Sequence, residues 1–196
     1  HLQWGATDVE RLQPLSGDEL VARPKMAYTH AITIHAPAAT VWAWLVQIGQ
    51  GRGGFYSYDW LENLFGCDIH SAARIRPELQ RLAVGDLVRL GPEGYPYYQV
   101  ALVEPESALV LHNKVDTKTG RRLTHGDELQ PAAYVNSSWA FALDAVDEQT
   151  TRLLVRGRTD YNPGLANEVL WRVLTEPASF IMERGMLLGL KQRAER

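Results

Sequence analysis

The sequence predicts an α+β fold in which the helices are set apart from an antiparallel sheet. The prediction depends on the order of the predicted elements: one strand, two helices, about five strands and a long final helix. A parallel sheet would need single strands that alternate with single helices, and the sequence has no such alternation. Of the 196 residues 45% are hydrophobic, so the chain can bury a sizeable core.

The chain divides into an N-terminal arm and one larger domain. Residues 1–25 mix polar residues with prolines and glycines and have no clear period, so we interpret them as an extended arm anchored by Trp4. Residues 26–196 carry the periodic segments and are predicted to form a single domain.

The first strand and the first helix of this domain follow from periodicity. Residues 26–35 alternate polar and apolar side chains, with Ile32 and Ile34 on one face of a strand. Pro37 suits the first turn of a helix. Apolar residues then recur at helical spacing, at Val41, Trp44, Leu45 and Ile48.

A glycine-rich stretch at residues 49–54 separates this helix from an aromatic one. Ser57 is the predicted N-cap of the second helix, with Asp59 in its first turn and Gly66 at its end. The glycines also match the dinucleotide pattern G-x-G-x-x-G, but that pattern needs a preceding strand, and here a helix is predicted. We therefore predict a link between two helices and no nucleotide site.

Further strands are predicted in the middle of the chain, where β-rich runs are bounded by turn residues. They are residues 87–90, 95–103, 108–112, 134–143 and 151–161. The last two are predicted to pair as a hairpin across residues 147–149, with Trp139 and Phe141 facing inward. Residues 116–131 are predicted to form a polar insertion at the surface.

The final helix is predicted to begin near Leu165, to be broken or kinked near Pro177, and to continue to the C-terminus. Gly185 and Gly189 lie four residues apart, so both occupy one face, where the helix can approach a neighbour closely. The predicted apolar stripe contains Ala178, Ile181, Met182, Gly185, Leu188 and Gly189.

Composition and motifs exclude several classes of function. The net charge of −3, without blocks of like charge, argues against a nucleic-acid partner. The single cysteine, Cys67, excludes an internal disulfide and a cysteine-based zinc site. His30 and His35 are predicted on opposite faces of a strand, and neither a zinc-protease nor a serine-hydrolase motif occurs. We predict no metal, no cofactor and no membrane-spanning segment.

Two polar groups have alternative interpretations. His70 and Arg74 follow the aromatic helix and belong either to a solvated loop or to the polar rim of a pocket. Arginines alternate along one face of the last strand, and this face is either exposed to solvent or the inner face of the sheet. If it is turned inward, Arg156 needs a carboxylate, for which Glu183 on the final helix is the predicted partner.

Most of the chain, from about residue 27 to 195, resembles the SRPBCC superfamily, also called START or Bet v 1-like. The resemblance is strongest to a bacterial, largely uncharacterised branch labelled polyketide cyclase/dehydrase or lipid-transport-like. The segments that carry it are ITIHAPAATVWAWLVQIG (32–49), GRGGFYSYDWLEN (51–63), the pairs at 70–71 and 74–75, VGDLVRLGP (84–92), SWAF (138–141) and EPASFIMERGMLLGLKQRAER (176–196).

The resemblance implies a helix-grip fold, in which a curved antiparallel sheet holds the long C-terminal helix. It also implies an internal cavity for an apolar or amphipathic small molecule, such as a lipid, a polyketide-like compound or an aromatic one. It carries over no catalytic residue. The ligand-binding residues expected from this arrangement are Tyr56, Tyr58, Trp60, His70, Arg74, Tyr97, Trp139, Phe180, Met182, Glu183 and Met186.

Three functions therefore remain open. The first is a binding or carrier protein, the second is a cyclase, dehydratase or hydrolase that uses the same cavity, and the third is a purely regulatory or interaction module. In the second, His70 or a carboxylate such as Asp59 or Glu183 would be the acid/base. We expect a cytoplasmic location, or membrane association only through a segment upstream of His1.

Overall fold

In a computed structural model, the structure describes residues 2–123, 133–162 and 176–196. Six strands form one curved sheet: β1 (Met26–Ile34), β2 (Leu87–Arg89), β3 (Tyr97–Glu104), β4 (Ala108–Asp116), β5 (Tyr134–Asp147) and β6 (Thr150–Tyr161). Their order in the sheet is β1-β6-β5-β4-β3-β2, and every neighbouring pair is antiparallel. The predicted strands and the β5–β6 hairpin are confirmed.

Within the described residues, four helices accompany the sheet: α1 (Asp8–Leu12), α2 (Ala38–Leu45), α3 (Asp59–Leu64) and α4 (Glu176–Ala194). Short 3₁₀ turns lie at Asp18–Val21 and Pro77–Leu79. The main core lies between the inner face of the sheet and the helices α2 and α4, where apolar side chains from all three meet. A sheet that holds a long C-terminal helix in this way is a helix-grip fold, as predicted.

The connection between α2 and α3 follows the predicted pattern at its glycines. Pro37 immediately precedes α2, and its fixed φ suits that position. Gly49 and Gly54 exchange two backbone hydrogen bonds of 2.9 and 3.0 Å, and Gly49 has a φ of 122° that favours glycine. The glycine stretch therefore links two helices, and the element directly before it is α2 and not a strand.

The start of α3 differs from the prediction. The helix begins after Tyr58, whose side chain makes no capping hydrogen bond, so the predicted Ser57 cap is wrong. Instead, the Ser57 hydroxyl donates to Glu62 Oε1 at 2.8 Å. The helix ends at Leu64 and Gly66 follows with a φ of 76°, close to the predicted end.

The buried face of α4 also differs from the predicted stripe. Ile181 and Leu188 are 52% and 38% exposed. The close approach predicted for the glycines is confirmed, since a Cβ added to Gly189 would lie 1.9 Å from the Tyr56 carbonyl oxygen. The buried residues of the helix are Glu183, Gly185, Met186, Leu187, Leu190 and Ala194, so of the predicted stripe only Gly185 is fully buried. The predicted helical start near Leu165 lies outside the described residues.

The N-terminal residues pack on the outer face of the sheet and contain local structure that the sequence did not predict. Helix α1 has a capping box, in which Thr7 and Glu10 each bind the backbone N–H of the other. The chain before it runs beside β1, where Thr29 and Ala31 donate backbone hydrogen bonds to the carbonyls of Leu2 and Trp4. Trp4 is partly buried against the core.

This packing shows that the arginine face of β6 is the outer one. Arg156 is buried, and its guanidinium donates to Asp18 Oδ2 at 2.7 Å. The predicted pairing with Glu183, which assumed an inward-facing arginine, is therefore wrong. The remaining acceptors of Arg156 are the Thr29 hydroxyl and the carbonyls of Glu10, Arg11 and Gln13.

Only part of the predicted 116–131 insertion lies within the described residues. A turn follows Asp116, whose carboxylate accepts from the backbone N–H of Lys118 at 2.8 Å. An isolated bridge then joins Arg122 to Val115. Residues 124–131 lie outside the described part of the chain.

Candidate ligand-binding site

A cavity of about 620 Å³ lies between the inner face of the sheet and the first half of α4. Its sides are formed by α3 and by residues that follow this helix, including Phe65 and Cys67. Phe65 and Ile181, which both line the cavity, are 69% and 52% exposed and mark its opening to solvent. Most of the lining side chains are apolar or aromatic, which is typical of small-molecule sites.

The deep wall of the cavity depends on a glycine in the sheet. Gly157 of β6 pairs with Tyr28 of β1 on one side and with Trp139 of β5 on the other. The Tyr28 ring lies over Gly157, where an added Cβ would be 2.3 Å from ring atoms. The absence of a side chain at Gly157 therefore lets the Tyr28 ring lie over the sheet, where it forms part of the cavity wall with Trp139.

A buried carboxylate organises the polar part of this wall. Glu183 of α4 is only 6% exposed. Its Oε2 accepts from the Tyr28 hydroxyl at 2.6 Å and from Trp139 Nε1 at 3.0 Å, and its Oε1 lies 2.6 Å from His30 Nδ1. A carboxylate has about four acceptor positions, and these three contacts occupy most of them. The cluster ties α4 to β1 and β5.

Two tyrosine hydroxyls at the cavity stay protonated far above neutral pH. Burial, followed by the neighbouring Glu183 charge, raises the pKa of Tyr28 well above its usual value. Burial likewise raises the pKa of Tyr98, against the effect of its hydrogen bond with Ser137. The Ser137 hydroxyl lies 3.3 Å from the Tyr98 oxygen. Both tyrosines are therefore neutral hydrogen-bonding groups in an apolar space.

A second carboxylate, Glu62 of α3, lines the side of the cavity. Burial raises its pKa, the Ser57 hydrogen bond opposes that shift, and the nearby Asp59 charge adds to it. Glu62 Oε2 is shielded from solvent and has no hydrogen-bond partner among the described residues. Burial of such an oxygen without a partner costs free energy.

Four of the eleven residues predicted from the sequence line this cavity: Trp139, Met182, Glu183 and Met186. Trp139 faces inward beside Phe141, with the two ring centroids 4.8 Å apart. The remaining seven do not line it.

Three of those seven belong to the protein core or to packing contacts. The Tyr56 hydroxyl donates to the Trp44 carbonyl at 2.9 Å, and this side chain is 2% exposed. Tyr58 packs against Gly185, where a Cβ would meet its ring at 2.7 Å. Phe180 contacts the His30 ring at a centroid distance of 5.4 Å.

The other four are exposed or half-buried residues outside the lining. Trp60 is 70% exposed, and Arg74 is also exposed. His70, whose side chain is 80% exposed, pairs with Asp68 at 3.0 Å, an arrangement typical of a solvated loop. Tyr97 is half-buried and does not line the cavity, whereas its neighbour Tyr98 does, because successive residues of a strand point to opposite faces.

Sequence reasoning missed the cavity residues Tyr28, Glu62 and Tyr98. A signal was available for Tyr28, because the alternation that put Ile32 and Ile34 on the inner face continues backward to positions 30 and 28. No pattern distinguished Glu62 from the other acidic residues near α3. Asp59, a predicted candidate acid/base, instead accepts from the Ser71 backbone and hydroxyl.

Within the described ranges, no group of three or more His, Cys, Asp or Glu side chains is arranged to hold a metal ion. No helix in that part of the chain is long and apolar enough to cross a membrane.

Neither a protein-family model nor a curated protein matches the chain, but many solved structures do. A hypothetical protein from Helicobacter pylori is 12% identical with a TM-score of 0.53, and the match covers 92% of this chain and 95% of that one. Norcoclaurine synthase from Thalictrum flavum is 13% identical with a TM-score of 0.45, over 85% and 91% of the two chains. A protein from Mesorhizobium loti is 18% identical with a TM-score of 0.44, over 86% and 96%.

At these identities the comparison concerns the fold alone. The Helicobacter pylori protein shares it over nearly the whole chain. The chain described here is thus a helix-grip protein, with a cavity between its sheet and its final helix.

Proposed function

We propose that this protein binds an apolar or amphipathic small molecule in the cavity between its sheet and α4. The observation that carries the proposal is the cavity itself, whose 620 Å³ falls within the range of about 300–1,000 Å³ typical of small-molecule sites. A core filled to ordinary density would leave only voids near the size of a water molecule. Lipids, polyketide-like molecules and flat aromatic compounds are the ligand classes we propose.

We further propose that the chain is a member of the SRPBCC superfamily and acts in the cytoplasm as a carrier or ligand-binding protein. The strand and helix order and the segments quoted above support membership. Fold does not determine function, so the ligand class depends on the cavity and not on the superfamily.

An enzyme that uses the same cavity is the second candidate, and one observation favours it. The Tyr28 hydroxyl and the Glu183 carboxylate form a 2.6 Å hydrogen bond at the cavity wall, where a proton donor and acceptor could act on a bound molecule. His70, by contrast, lies outside the cavity lining. If the protein is an enzyme, Tyr28→Phe should abolish turnover of a bound compound while binding persists.

Native mass spectrometry of gently purified protein, with extraction of any bound compound, tests the binding function directly. Uptake of the neutral dye Nile red gives a second measurement. Met182→Trp should fill the cavity and abolish dye uptake with little loss of fold. Leu188→Trp is the matched control, because Leu188 lies on the same helix, is 38% exposed and does not line the cavity. If the wild-type protein takes up no dye and Met182→Trp unfolds it, the space is ordinary core and the proposal fails.

A further inference from the structure

The cavity is acidic, although most of its surface is apolar. Its lining includes the carboxylates of Glu62 and Glu183, and none of the described residues that line it is Lys, Arg or His. An anionic ligand, such as a fatty acid, would place a further negative group beside acidic side chains in a poorly solvated space. That arrangement is unfavourable, because like charges repel more strongly where water is excluded.

The two carboxylates differ in what they can offer a ligand. Glu183 already interacts with Tyr28, His30 and Trp139. Glu62 accepts one hydrogen bond, from Ser57 to its Oε1, and its buried Oε2 accepts none from the described residues. Glu62 is therefore the less satisfied of the two carboxylates that line the cavity.

We propose, on the basis of the binding function above, that Glu62 is the polar anchor of the cavity and that the ligand is an apolar molecule bearing an amine. An ammonium or N–H group would pair with the Glu62 carboxylate, and the apolar remainder would lie along Trp139, Met182 and Met186. The ligand would supply to Glu62 a positive charge and a hydrogen-bond donor in addition to the Ser57 hydroxyl.

The electrostatics around Glu62 agree with this assignment. Burial raises the pKa of Glu62, because it destabilises the ionised carboxylate. A cation bound beside this carboxylate would offset that destabilisation. Burial, and then the Glu62 charge, also raise the pKa of the neighbouring Cys67 thiol. Burial is the larger cause of both shifts, and the Glu62 charge that acts on the Cys67 thiol would also attract a bound cation.

The test is the displacement of Nile red by three ligands with the same chain and different headgroups: dodecylamine, 1-dodecanol and dodecanoate. At neutral pH they are a cation, a neutral donor and an anion. We expect wild-type protein to bind the amine most tightly and dodecanoate most weakly. Glu62→Gln should weaken amine binding about tenfold or more, since hydrogen bonds to charged groups are the stronger class. Glu78→Gln, an exposed site outside the cavity lining, makes the same change in net charge and should alter nothing.

The outcomes separate the two proposals. If Nile red binds but dodecanoate matches or exceeds the amine, or if Glu62→Gln leaves the ranking unchanged, the amine assignment is overturned and the binding function stands. If neither the dye nor any of the three ligands binds, both proposals fail. The wild-type ranking alone decides the matter should the variant prove unstable.

Discussion

The Tyr28 ring lies directly over Gly157 of the neighbouring strand, and a methyl group at Gly157 would approach ring atoms to 2.3 Å. Gly157→Ala should therefore displace Tyr28 and weaken its hydrogen bond to Glu183. Overpacking of this kind costs about 1–3 kcal/mol of unfolding free energy, which urea denaturation measures.

A double-mutant cycle with Tyr28→Ala is the control. In that background the added methyl meets no ring, so Gly157→Ala should cost markedly less than in the wild-type protein. Equal costs in the two backgrounds would show that the ring contact is not what requires glycine.

The cluster around Glu183 yields the second prediction. Glu183→Ala leaves the polar groups of Tyr28, His30 and Trp139 without their common partner, a buried carboxylate. Removal of one member of such a buried charged cluster costs about 3–5 kcal/mol, again measured by urea denaturation. Glu78→Ala, at an exposed position, should stay within about 0.5 kcal/mol of the wild type. A loss below about 1 kcal/mol for Glu183→Ala would show that the three groups find other partners.

The strands and α2 could be predicted because their local patterns agree with their tertiary environment. In β1, the period-2 pattern continues along an inner face that packs on the core, and in α2 the apolar residues Val41 and Leu45 are fully buried. Residue 49 adopts a positive φ, a conformation that favours glycine, and the glycine at this position in the sequence indicated a turn. Where the local pattern agrees with the tertiary environment, the sequence is enough to predict the element.

The site was harder to predict because it depends on which of two adjacent residues faces inward. Tyr97 and Tyr98 are both aromatic, so alternation cannot distinguish them, and a shift of one residue exchanges the two faces. The outer face of β6 was equally ambiguous. Arg156 is buried there because the N-terminal residues cover it. Their sequence has no helical or strand periodicity from which this packing could be predicted.

The third prediction concerns the ion pair that ties α1 to the sheet. Arg152 donates from Nε and Nη2 to the two oxygens of Glu10, at 2.7 and 2.9 Å. The hydrogen bond from Arg152 is the main reason that the pKa of Glu10 falls from 4.5 to about 2. Because this pKa is lower in the folded protein than in the unfolded chain, the pair stabilises the fold fully above about pH 4.5. That contribution is lost as the pH falls from 4.5 toward 2.

Glu10→Gln should therefore destabilise the protein at neutral pH by about 1 kcal/mol, a value that allows for solvent screening of a pair near the surface. The difference between variant and wild type should shrink steadily below pH 4.5, because protonation then removes the same charge from the wild-type protein. Urea denaturation of both proteins across this pH range is the measurement, with Glu78→Gln as the charge-matched control. A difference that stays constant down to pH 2 would mean that Glu10 contributes through packing or neutral hydrogen bonds, and not through its charge.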